Sequence, residues 1–365
     1  MRILYISGLD SQHSHRWIQS FHSKKNEIGW INLRNTKKTS NYNYKIKPKS
    51  SYSKFPFFNL VLTYFISLIQ LMFWKPEVLH VHYMGLNGLL GLIIPAKKKI
   101  FTAWGSDVIF PKYTFLLKLM ILRADLITTD AQHVYDKLVS IGAKKEKIKI
   151  INFGIETNKF IKKPKNSYFR NKLFNALNEN DPIVLSLRNH EEIYDIETLI
   201  NSITNVLSKI NNVKFCIGGS GSLTEKYKKL VEKLNLQNNV SFFGSYDHNE
   251  LSDLFGQVNL YVSTSLSDAG ISSSTAEAMS CEVPVIISNT GENDIWIQDG
   301  INGDLFEAGD FEKLSSLIIN NLDHIELAEA KGKKGRQTII ERNDLNNEMI
   351  KMKKIYGEVI SSRNS

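Results

Sequence analysis

Short apolar strands alternate with helices in two successive rounds along this chain, and this alternation limits the fold more than any other feature. The first round begins with a strand at Arg2 to Ser7 and ends with one at Ile148 to Phe153. The second begins at Ile183 to Leu187 and continues into a helix at Ile196 to Ile210, where apolar residues recur at helical spacing. Such alternation is typical of parallel sheets covered by helices on both faces. We therefore predict the α/β class, with two doubly wound Rossmann-like domains facing across a cleft.

A polar segment from Gly154 to Lys165 separates the two rounds. We predict a first domain over residues 1–162 and a second over 163–345. A C-terminal helix over 346–365 is expected to pack back on the first domain. Ligands of doubly wound sheets bind at the carboxyl ends of the strands. The loops predicted at those ends contain Gly8, His82, Trp104 to Asp107, Arg188, Gly218 to Ser222, Gly244 and a run of serines after Val262.

The charge balance of the chain favours an anionic partner. The 365 residues include 46 Lys and Arg against 37 Asp and Glu, for a formal net charge of +9 and a pI of about 9.2. Nucleotides and lipid headgroups are partners of this kind. The sequence contains neither a helix-turn-helix pattern nor a basic stripe interleaved with aromatic residues, so we predict no nucleic-acid binding.

Cysteine usage and the N-terminal sequence favour a reducing, cytoplasmic location. Cys216 and Cys281 lie in apolar surroundings without a CxxC neighbour or a nearby His cluster, so neither a disulfide framework nor a zinc site is expected. The first residues, MRILYISG, have the pattern of a strand and lack the basic region and cleavage site of a signal peptide.

One apolar segment, residues 57–74, is compatible with three structures. Its 18 residues lie near the lower limit for a spanning helix, but Asn59, Thr63, Ser67 and Gln70 interrupt it. The preceding residues 35–54 contain six lysines and no acidic residue. The segment can be a buried helix of the domain, an interfacial helix lying on anionic lipid, or a transmembrane span.

The stretch from Ser263 to Phe306 has the form of a ligand-binding cassette. A strand leads into a polar loop with three consecutive serines, a short helix carrying Glu277, and a second strand at Pro284 to Ile287. A helix N-terminus has unpaired N–H groups and partial positive charge, so it suits a diphosphate. A carboxylate close by suits hydroxyl groups such as those of a ribose.

The chain resembles glycosyltransferase family 4 enzymes of the GT-B fold over nearly its whole length. The first half resembles them in the segments HVHY, TAWGSD, RADLITTD and INFGIETNKF. The second half resembles them in the acidic residue Asp268, the Glu-Ala-Met helix at Glu277 and the PVI strand at Pro284, with NDIWIQDGINGDLF following. The resemblance implies a retaining, metal-independent transferase, with a nucleotide sugar as substrate rather than cofactor.

Donor-side candidates follow from the resemblance and from the residue chemistry. The resemblance implies that Glu277 binds the ribose and that Asp268 touches the donor sugar. A capping box from Ser274 to Glu277 and an Asx turn at Asp268 are the structural alternatives. Arg188 suits a diphosphate, or it pairs with Glu191 or Glu192 at the surface. Further donor-binding candidates are Gly8, Gly219, Ser220, Gly221, Gly244, Ile271, Ser272, Ser273 and Ser274. For Gly219 and Gly221, a tight strand–helix turn is the alternative.

Three residues of the first domain, His82, Trp104 and Asp107, are candidates for the acceptor side. His82 and Asp107 are also candidates for catalysis. The other catalytic candidates are Arg188, Asp268 and Glu277. A lone histidine is often structural, which leaves His82 with two interpretations. Many relatives carry histidine where this chain has Trp104, and tryptophan can stack on a sugar but cannot transfer a proton. This difference predicts a donor or acceptor preference unlike theirs.

These features together predict transfer of a sugar to a glycan or lipid-linked acceptor in cell-surface polysaccharide biosynthesis, namely capsule, O-antigen or exopolysaccharide. Peripheral contact with the inner face of the plasma membrane is expected for such an acceptor. A nucleotide-sugar epimerase of the same fold and a non-catalytic scaffold subunit are the alternatives. The sequence leaves open the base, the sugar, the linkage and the oligomeric state.

Overall fold

The computed structural model of the chain describes residues 1–8, 12–23, 25–32, 56–174, 177–178, 180–268 and 270–362. The chain forms two compact units, Met1–Gly154 with Leu345–Ser365, and Ile155–Asp344, called unit 1 and unit 2 below. The lysine-rich run at residues 35–54 lies outside the described residues.

Unit 1 is built on a parallel sheet. Its strands are β1 (Arg2–Ile6), β2 (Glu27–Ile31), β3 (Val78–His82), β4 (Lys98–Ala103), β5 (Leu126–Thr129) and β6 (Ile148–Ile150). Within the described ranges, the six strands lie in the order β2-β1-β3-β4-β5-β6, and all pairs are parallel. Every residue of β3 is buried, as expected for a strand covered on both faces.

Helices connect the strands of unit 1. They are α1 (Gln12–Phe21), α2 (Pro56–Phe73), α3 (Leu86–Ile93), α4 (Ser106–Ile109), α5 (Thr114–Arg123) and α6 (Gln132–Ser140), followed by a 3-10 turn at Lys145–Lys147. None of the helices in the part of the chain that the structure describes is long and apolar enough to cross a membrane.

Unit 2 repeats the architecture. Its strands are β7 (Ile183–Leu187), β8 (Lys214–Gly218), β9 (Val240–Gly244), β10 (Leu260–Ser263), β11 (Val285–Ser288) and β12 (Asp304–Phe306). They pair in parallel in the order β12-β11-β10-β7-β8-β9 among the residues described. The prediction of two doubly wound α/β units is confirmed.

The helices of unit 2 cover this second sheet. They are α7 (Ser167–Leu173), α8 (Ile196–Leu207), α9 (Thr224–Lys233), α10 (Leu251–Phe255), α11 (Ser273–Ser280), α12 (Asn293–Trp296), α13 (Phe311–Asp323) and α14 (Ile325–Asn343), with a 3-10 turn at Glu192–Tyr194. The apolar residues of α8 recur at helical spacing and are buried in the unit 2 core, for example Leu199, Ile203 and Val206.

A last helix, α15 (Leu345–Ser361), belongs to unit 1. Its residues Met352 and Tyr356 are fully buried in the core that also contains Ile3 and Tyr5 of β1. Gly154 has a φ of +79° where the chain leaves unit 1, and a Cβ there would lie 2.7 Å from the Cα of Leu345. Glycine at position 154 therefore allows the segment that leaves unit 1 to contact the segment that returns to it at Leu345.

The boundary between the units lies earlier than residue 162, the position predicted from the sequence. The Ile155 amide donates to the Asn343 carbonyl at 2.7 Å, and Phe160 is fully buried with its carbonyl accepting from Ser280 Oγ. These contacts tie residues 155–162 to unit 2. The sequence pattern predicts a later boundary because this stretch is mostly polar and its two buried apolar residues, Ile155 and Phe160, are isolated in it.

A buried polar network joins α15 to the sheet of unit 1. His80 contacts Tyr356 Oη through Nδ1 at 2.5 Å and Thr102 Oγ1 through Nε2 at 2.6 Å. Tyr356 Oη also lies 2.8 Å from Tyr5 Oη, and Thr102 Oγ1 lies 2.7 Å from Thr128 Oγ1. Burial, and then the neighbouring His82, lower the pKa of His80 well below its ordinary value. The network therefore contains a neutral histidine.

Candidate functional site

The strand order of unit 2 reverses between β7 and β10, and the main candidate residues lie at that point. The chain moves from β7 to β8 and β9 on one side, and returns to β10, β11 and β12 on the other. Loops on either side of such a reversal diverge and leave a crevice at the carboxyl ends of the strands. Arg188 directly follows β7, and Asp268 lies in the loop after β10.

Arg188 and Asp268 form a buried ion pair across this crevice. Arg188 Nη2 donates to Asp268 Oδ1 at 2.5 Å, and the side chains are only 9% and 10% exposed. The guanidinium lies 4.5 Å from the ring centroid of Tyr194, and its Nε is buried without a hydrogen-bond partner among the described residues. Burial raises the pKa of Asp268, and the Arg188 guanidinium opposes that shift. Arg188 thus keeps one unpaired N–H donor at the reversal point.

The surface pairing considered for Arg188 is wrong. Glu191 instead accepts from Ser222, through the amide at 2.9 Å and the hydroxyl at 2.5 Å. The ion pair also shows that the Asp268 carboxylate is engaged with Arg188 rather than closing a local turn.

The Gly219 and Gly221 backbones lie directly against the loop after β7. Gly219 has a φ of +112°, and a Cβ there would approach the Arg188 carbonyl oxygen to 2.4 Å. A Cβ at Gly221 would approach the His190 carbonyl oxygen to the same distance. The Gly219 amide donates to the carbonyl of Gly244, which has a φ of +70°. The tight-turn interpretation therefore explains Gly219 and Gly221, and their contact with the donor stays a prediction.

Helix α11 is capped by Ser272, so the capping box considered as the structural alternative for Ser274 and Glu277 does not form. Ser272 has the extended backbone of an N-cap, and its Oγ accepts from the Thr275 amide at 3.4 Å. Ser274 lies in the first turn, where its Oγ accepts from Tyr261 Oη at 2.7 Å. Glu277 is the fifth helical residue, one turn beyond the cap. Its carboxylate therefore does not cap the helix.

Glu277 is almost fully buried and faces His248, a residue that the sequence reasoning missed. His248 Nε2 lies 3.0 Å from Glu277 Oε1, and the histidine ring packs edge-on against Phe160 at 5.4 Å. His248 precedes α10 in the loop that follows β9 and Gly244. Its neighbours Asp247 and Asn249 give that loop the composition of an ordinary turn. Its place after a strand end is the signal that could have identified it.

Ile271, Ser272 and Ser273 form the entry to α11 together with Ser274. Ile271 and Ser274 are buried, whereas Ser272 and Ser273 are partly exposed at the carboxyl edge of the sheet. Ser220 is exposed, and its carbonyl accepts from the His190 amide at 3.2 Å. The donor-side candidates of unit 2 therefore gather around the ends of β7, β8, β9 and β10.

Unit 1 has its own reversal point, between β1 and β3. Gly8 follows β1, and His82 is the last residue of β3, so both lie at the carboxyl ends that flank it. His82 is buried, with Nδ1 2.9 Å from Ser14 Oγ and its ring edge-on to that of Trp17 at 5.3 Å. The half-buried ring of Trp104 lies 5.7 Å from it. The structure thus brings His82 and Trp104 together, and packing fixes the His82 ring.

Asp107 binds two loops of unit 1 through backbone amides. Its Oδ2 accepts from the Met84 amide at 2.6 Å and its Oδ1 from the Trp104 amide at 3.0 Å. Burial raises its pKa to about 6, against the opposing effect of these hydrogen bonds. The carboxylate therefore holds the loop after β3 to the loop after β4, and its predicted catalytic role has a structural role beside it.

No group of three or more His, Cys, Asp or Glu residues suited to a metal ion occurs among the residues that the structure describes. Both cysteines are buried as free thiols.

The fold and the crevice of unit 2 define a protein with two doubly wound units and a buried arginine at a strand reversal. Two family models match, one described as glycosyl transferases group 1 over residues 169–338 and one as glycosyl transferase 4-like over residues 2–131. Together they account for most of the chain. The chain belongs to the family 4 glycosyltransferases of the GT-B fold, and it is an enzyme of that class.

Two curated relatives illustrate the similarity in sequence. The N-acetyl-alpha-D-glucosaminyl L-malate synthase of Bacillus anthracis is 21% identical over 275 residues, covering 73% of this chain and 70% of the relative. The poly(ribitol-phosphate) alpha-N-acetylglucosaminyltransferase of Staphylococcus aureus is 35% identical over 149 residues, which is 40% of this chain and 29% of the relative. This second alignment thus spans less than a third of that protein.

Two solved structures share the fold. Sucrose-phosphate synthase from Thermosynechococcus elongatus superposes with a TM-score of 0.85 at 18% identity, with 100% of both chains covered. The Anabaena protein HepE in complex with UDP-glucose superposes with a TM-score of 0.78 at 16% identity, covering 98% of this chain and all of that one.

Proposed function

We propose that this glycosyltransferase moves a sugar from a nucleoside-diphosphate donor to a glycan or lipid-linked acceptor in the biosynthesis of a cell-surface polysaccharide such as capsule, O-antigen or exopolysaccharide. We further propose that it acts with retention of configuration, in the cytoplasm, at the inner face of the plasma membrane. The observation that carries the donor assignment is the buried Arg188 at the strand reversal of unit 2, with Nε unpaired.

Arg188 and the start of α11 are suited to a diphosphate. The unpaired Nε–H of Arg188 would donate to a phosphate oxygen, and charge-assisted hydrogen bonds of this kind are among the strongest in proteins. The α11 N-terminus adds backbone donors and the positive end of its dipole. Asp268 already neutralises Arg188, so a diphosphate would have to share or displace that carboxylate. This support is consistent with the UDP-glucose bound by the structurally similar HepE.

Glu277 would accept hydrogen bonds from the ribose hydroxyls, with His248 fixing one carboxylate oxygen. Because α11 is capped by Ser272, Glu277 is not needed to close the helix. Asp268 would lie near the donor sugar through its place beside Arg188.

In the proposed reaction, the acceptor hydroxyl attacks the anomeric carbon on the face from which the diphosphate leaves. The bond to the leaving phosphate oxygen breaks, and that oxygen takes the acceptor proton. Arg188 and α11 would stabilise the developing negative charge, so a metal ion is not required. A double displacement would need a free carboxylate at the anomeric carbon. Trapping of a covalent glycosyl-enzyme on Asp268 or Glu277 would contradict the proposal.

The charge of unit 1 supports an anionic or lipid-linked acceptor. Unit 1 has 27 Lys and Arg against 10 Asp and Glu, whereas unit 2 has 19 against 27. A field of this sign attracts polyanions and anionic membranes. The poly(ribitol-phosphate) named for the Staphylococcus aureus relative is an acceptor of that charge.

A panel of nucleotide sugars, incubated with lipid-extracted acceptors and read by mass spectrometry, tests the proposal. We expect one donor to give a mass increase of one sugar on an acceptor, with release of the nucleoside diphosphate. An epimerised donor formed without acceptor would identify an epimerase instead. Absence of both turnover and nucleotide binding would identify a scaffold subunit.

A paired variant tests the site. Arg188→Met with Asp268→Asn removes both charges together, so no buried carboxylate is left unpaired. It should abolish nucleoside-diphosphate binding in calorimetry. The matched control is Arg342→Met, because Arg342 also stacks on an aromatic ring, that of Trp296 at 4.4 Å, but on the exposed side of α14. Equal binding by the paired variant and the control would contradict the assignment.

A further inference from the structure

Helix α2 presents a row of exposed apolar side chains along one side. The exposed residues are Phe58, Val61, Phe65, Ile69 and Phe73. Because they recur every three or four residues, they lie on a single face of the helix. Phe65 is 58% exposed and Phe73 is 86% exposed, whereas Leu71 is buried against unit 1. The helix from Pro56 to Phe73 contains no charged residue. The buried-helix interpretation therefore holds only for one side of α2.

The connections of unit 1 place α3 and α5 on the same side of the sheet as α2. Helix α2 leads from β2 to β3, α3 from β3 to β4, and α5 from β4 to β5, all in one direction across the strand order. Because parallel crossovers are right-handed, connections in one direction lie on one face. Helix α3 packs on α5, and α1, which runs the opposite way from β1 to β2, packs on α15.

Exposed apolar side chains also occur on α3, on α5 and on the segment between α4 and α5. The exposed residues are Leu86, Ile93, Phe110, Tyr113, Phe115 and Leu122. We call this set, together with the α2 row, the apolar face of unit 1. Clustered exposed apolar side chains such as the α2 row mark a site of interaction with a protein or a membrane.

The charges around the apolar face are basic. Helices α2, α3 and α5 contain no acidic residue, and the charged residues within them are Lys118 and Arg123. Lys75, Lys97 and Lys112 are exposed in the adjoining segments. A second copy of unit 1 would bring excess positive charge against excess positive charge. A bilayer offers an apolar interior with anionic headgroups at its edge, so it matches both properties of this surface.

We propose that the apolar face of unit 1 is a docking surface for a lipid bilayer rich in anionic headgroups. The exposed aromatic side chains insert at the boundary between headgroups and acyl chains, and they are Phe58, Phe65, Phe73, Phe110, Tyr113 and Phe115. The flanking lysines and Arg123 contact the headgroup phosphates. This inference rests on the proposed lipid-linked acceptor for its purpose, but docking requires no catalysis, so either can fail without the other.

Co-sedimentation of the full chain with vesicles tests the proposal. Vesicles of phosphatidylcholine alone are compared with vesicles that also contain phosphatidylglycerol, at low and high salt. We expect binding to the anionic vesicles alone, and loss of most of it at high salt, because headgroup attraction is screened. Phe65→Ser with Phe73→Ser should weaken partitioning about tenfold or more, since two large apolar side chains no longer leave water.

The matched control is Ile325→Ser with Leu327→Ser, two residues of unit 2 whose exposure, 58% and 62%, is similar. The control should bind vesicles like the unaltered chain. The circular dichroism spectrum and the thermal unfolding midpoint should be unchanged in both variants, which shows that each is folded.

Three results would overturn the docking surface. They are failure of the unaltered chain to bind anionic vesicles, equal loss of binding in the control, and full binding by the Phe65 and Phe73 variant. Concentration-dependent dimers that the same two substitutions dissociate, without any vesicle binding, would assign the apolar face to a second copy of the chain instead.

Discussion

The two units share a sheet of parallel strands but use the polar residues at the strand ends differently. In unit 2, Arg188 and Asp268 form a buried ion pair where the strand order reverses, and the buried Glu277 contacts His248. In unit 1, the Asp107 carboxylate accepts hydrogen bonds from backbone amides, and aromatic packing fixes the His82 ring. A common scaffold therefore presents paired polar side chains at the strand ends of unit 2 and a basic, partly apolar surface on unit 1.

The largest effect should come from Arg188→Lys, which keeps the charge but loses the planar fork and the unpaired Nε–H. Loss of a preorganised donor to the leaving phosphate should lower kcat by about 10²–10³-fold. Steady-state kinetics with the donor found in the panel measure this. Arg342→Lys serves as the control and should retain nearly full activity. If the Arg188→Lys enzyme had an unchanged kcat, Arg188 of unit 2 would not be the group that stabilises the leaving phosphate.

A second effect concerns stability and should appear in unit 1. Asp107 has a pKa of about 6 in the folded chain against an ordinary value of 3.8, so the folded state holds a proton that the unfolded state releases. The free energy of unfolding should then fall as the pH rises from about 4 to 6, by up to about 3 kcal/mol. Asp107→Asn should flatten this slope in urea unfolding and leave kcat within a few-fold. A large loss of kcat with an unchanged slope would make Asp107 catalytic.

Glu277→Gln should have a smaller effect on turnover, mainly through donor binding. It replaces a charged acceptor for the ribose hydroxyls by a neutral amide, and a hydrogen bond to a charged group contributes about 1.5–3 kcal/mol. The KM for the donor should rise about 10- to 100-fold, with kcat less affected. A 2′-deoxy donor analogue provides the control, because the variant should discriminate against it less than the unaltered enzyme does.

The smallest effect should follow from His248→Gln, which keeps a donor near Glu277 while removing the titratable ring. We expect a KM change of about fivefold or less, because the glutamine amide replaces the donor that the imidazole provides. His248→Ala should have a larger effect, because the carboxylate then loses that donor altogether. Equal kinetics for Gln, Ala and the native residue would show that Glu277 is positioned without His248.

The sequence predicted which residues stand at strand ends, because strand and helix periodicity fixes where each strand stops. It therefore placed Arg188, Asp268 and Trp104 in the loops that follow their strands, and His82 at the end of its strand. The pairing of Arg188 with Asp268 depends on a strand order in which β7 and β10 are neighbours, although 72 residues lie between the end of β7 and the start of β10. No local pattern specifies that neighbourhood.

Local patterns also failed where several residues could satisfy the same rule. Three consecutive serines offer three N-caps for α11, and the backbone geometry that selects Ser272 is set by the loop arriving from β10. His248 was missed because its contact with Glu277 joins two loops of different strands. The strand-end positions of the candidate residues were thus predictable, but their side-chain partners required the tertiary structure.

The return of α15 to unit 1 orders events during synthesis on the ribosome. Unit 2 is one continuous stretch, so all of its strands have left the exit tunnel before unit 1 receives Tyr356. Until then, His80 and Tyr5 lack the hydroxyl that joins them in the finished core, and an unmet buried polar group costs about 1–3 kcal/mol. The nascent chain therefore holds an incomplete unit 1 at a stage when unit 2 can already be complete. Packing of the last turns of α15 then completes the core of unit 1.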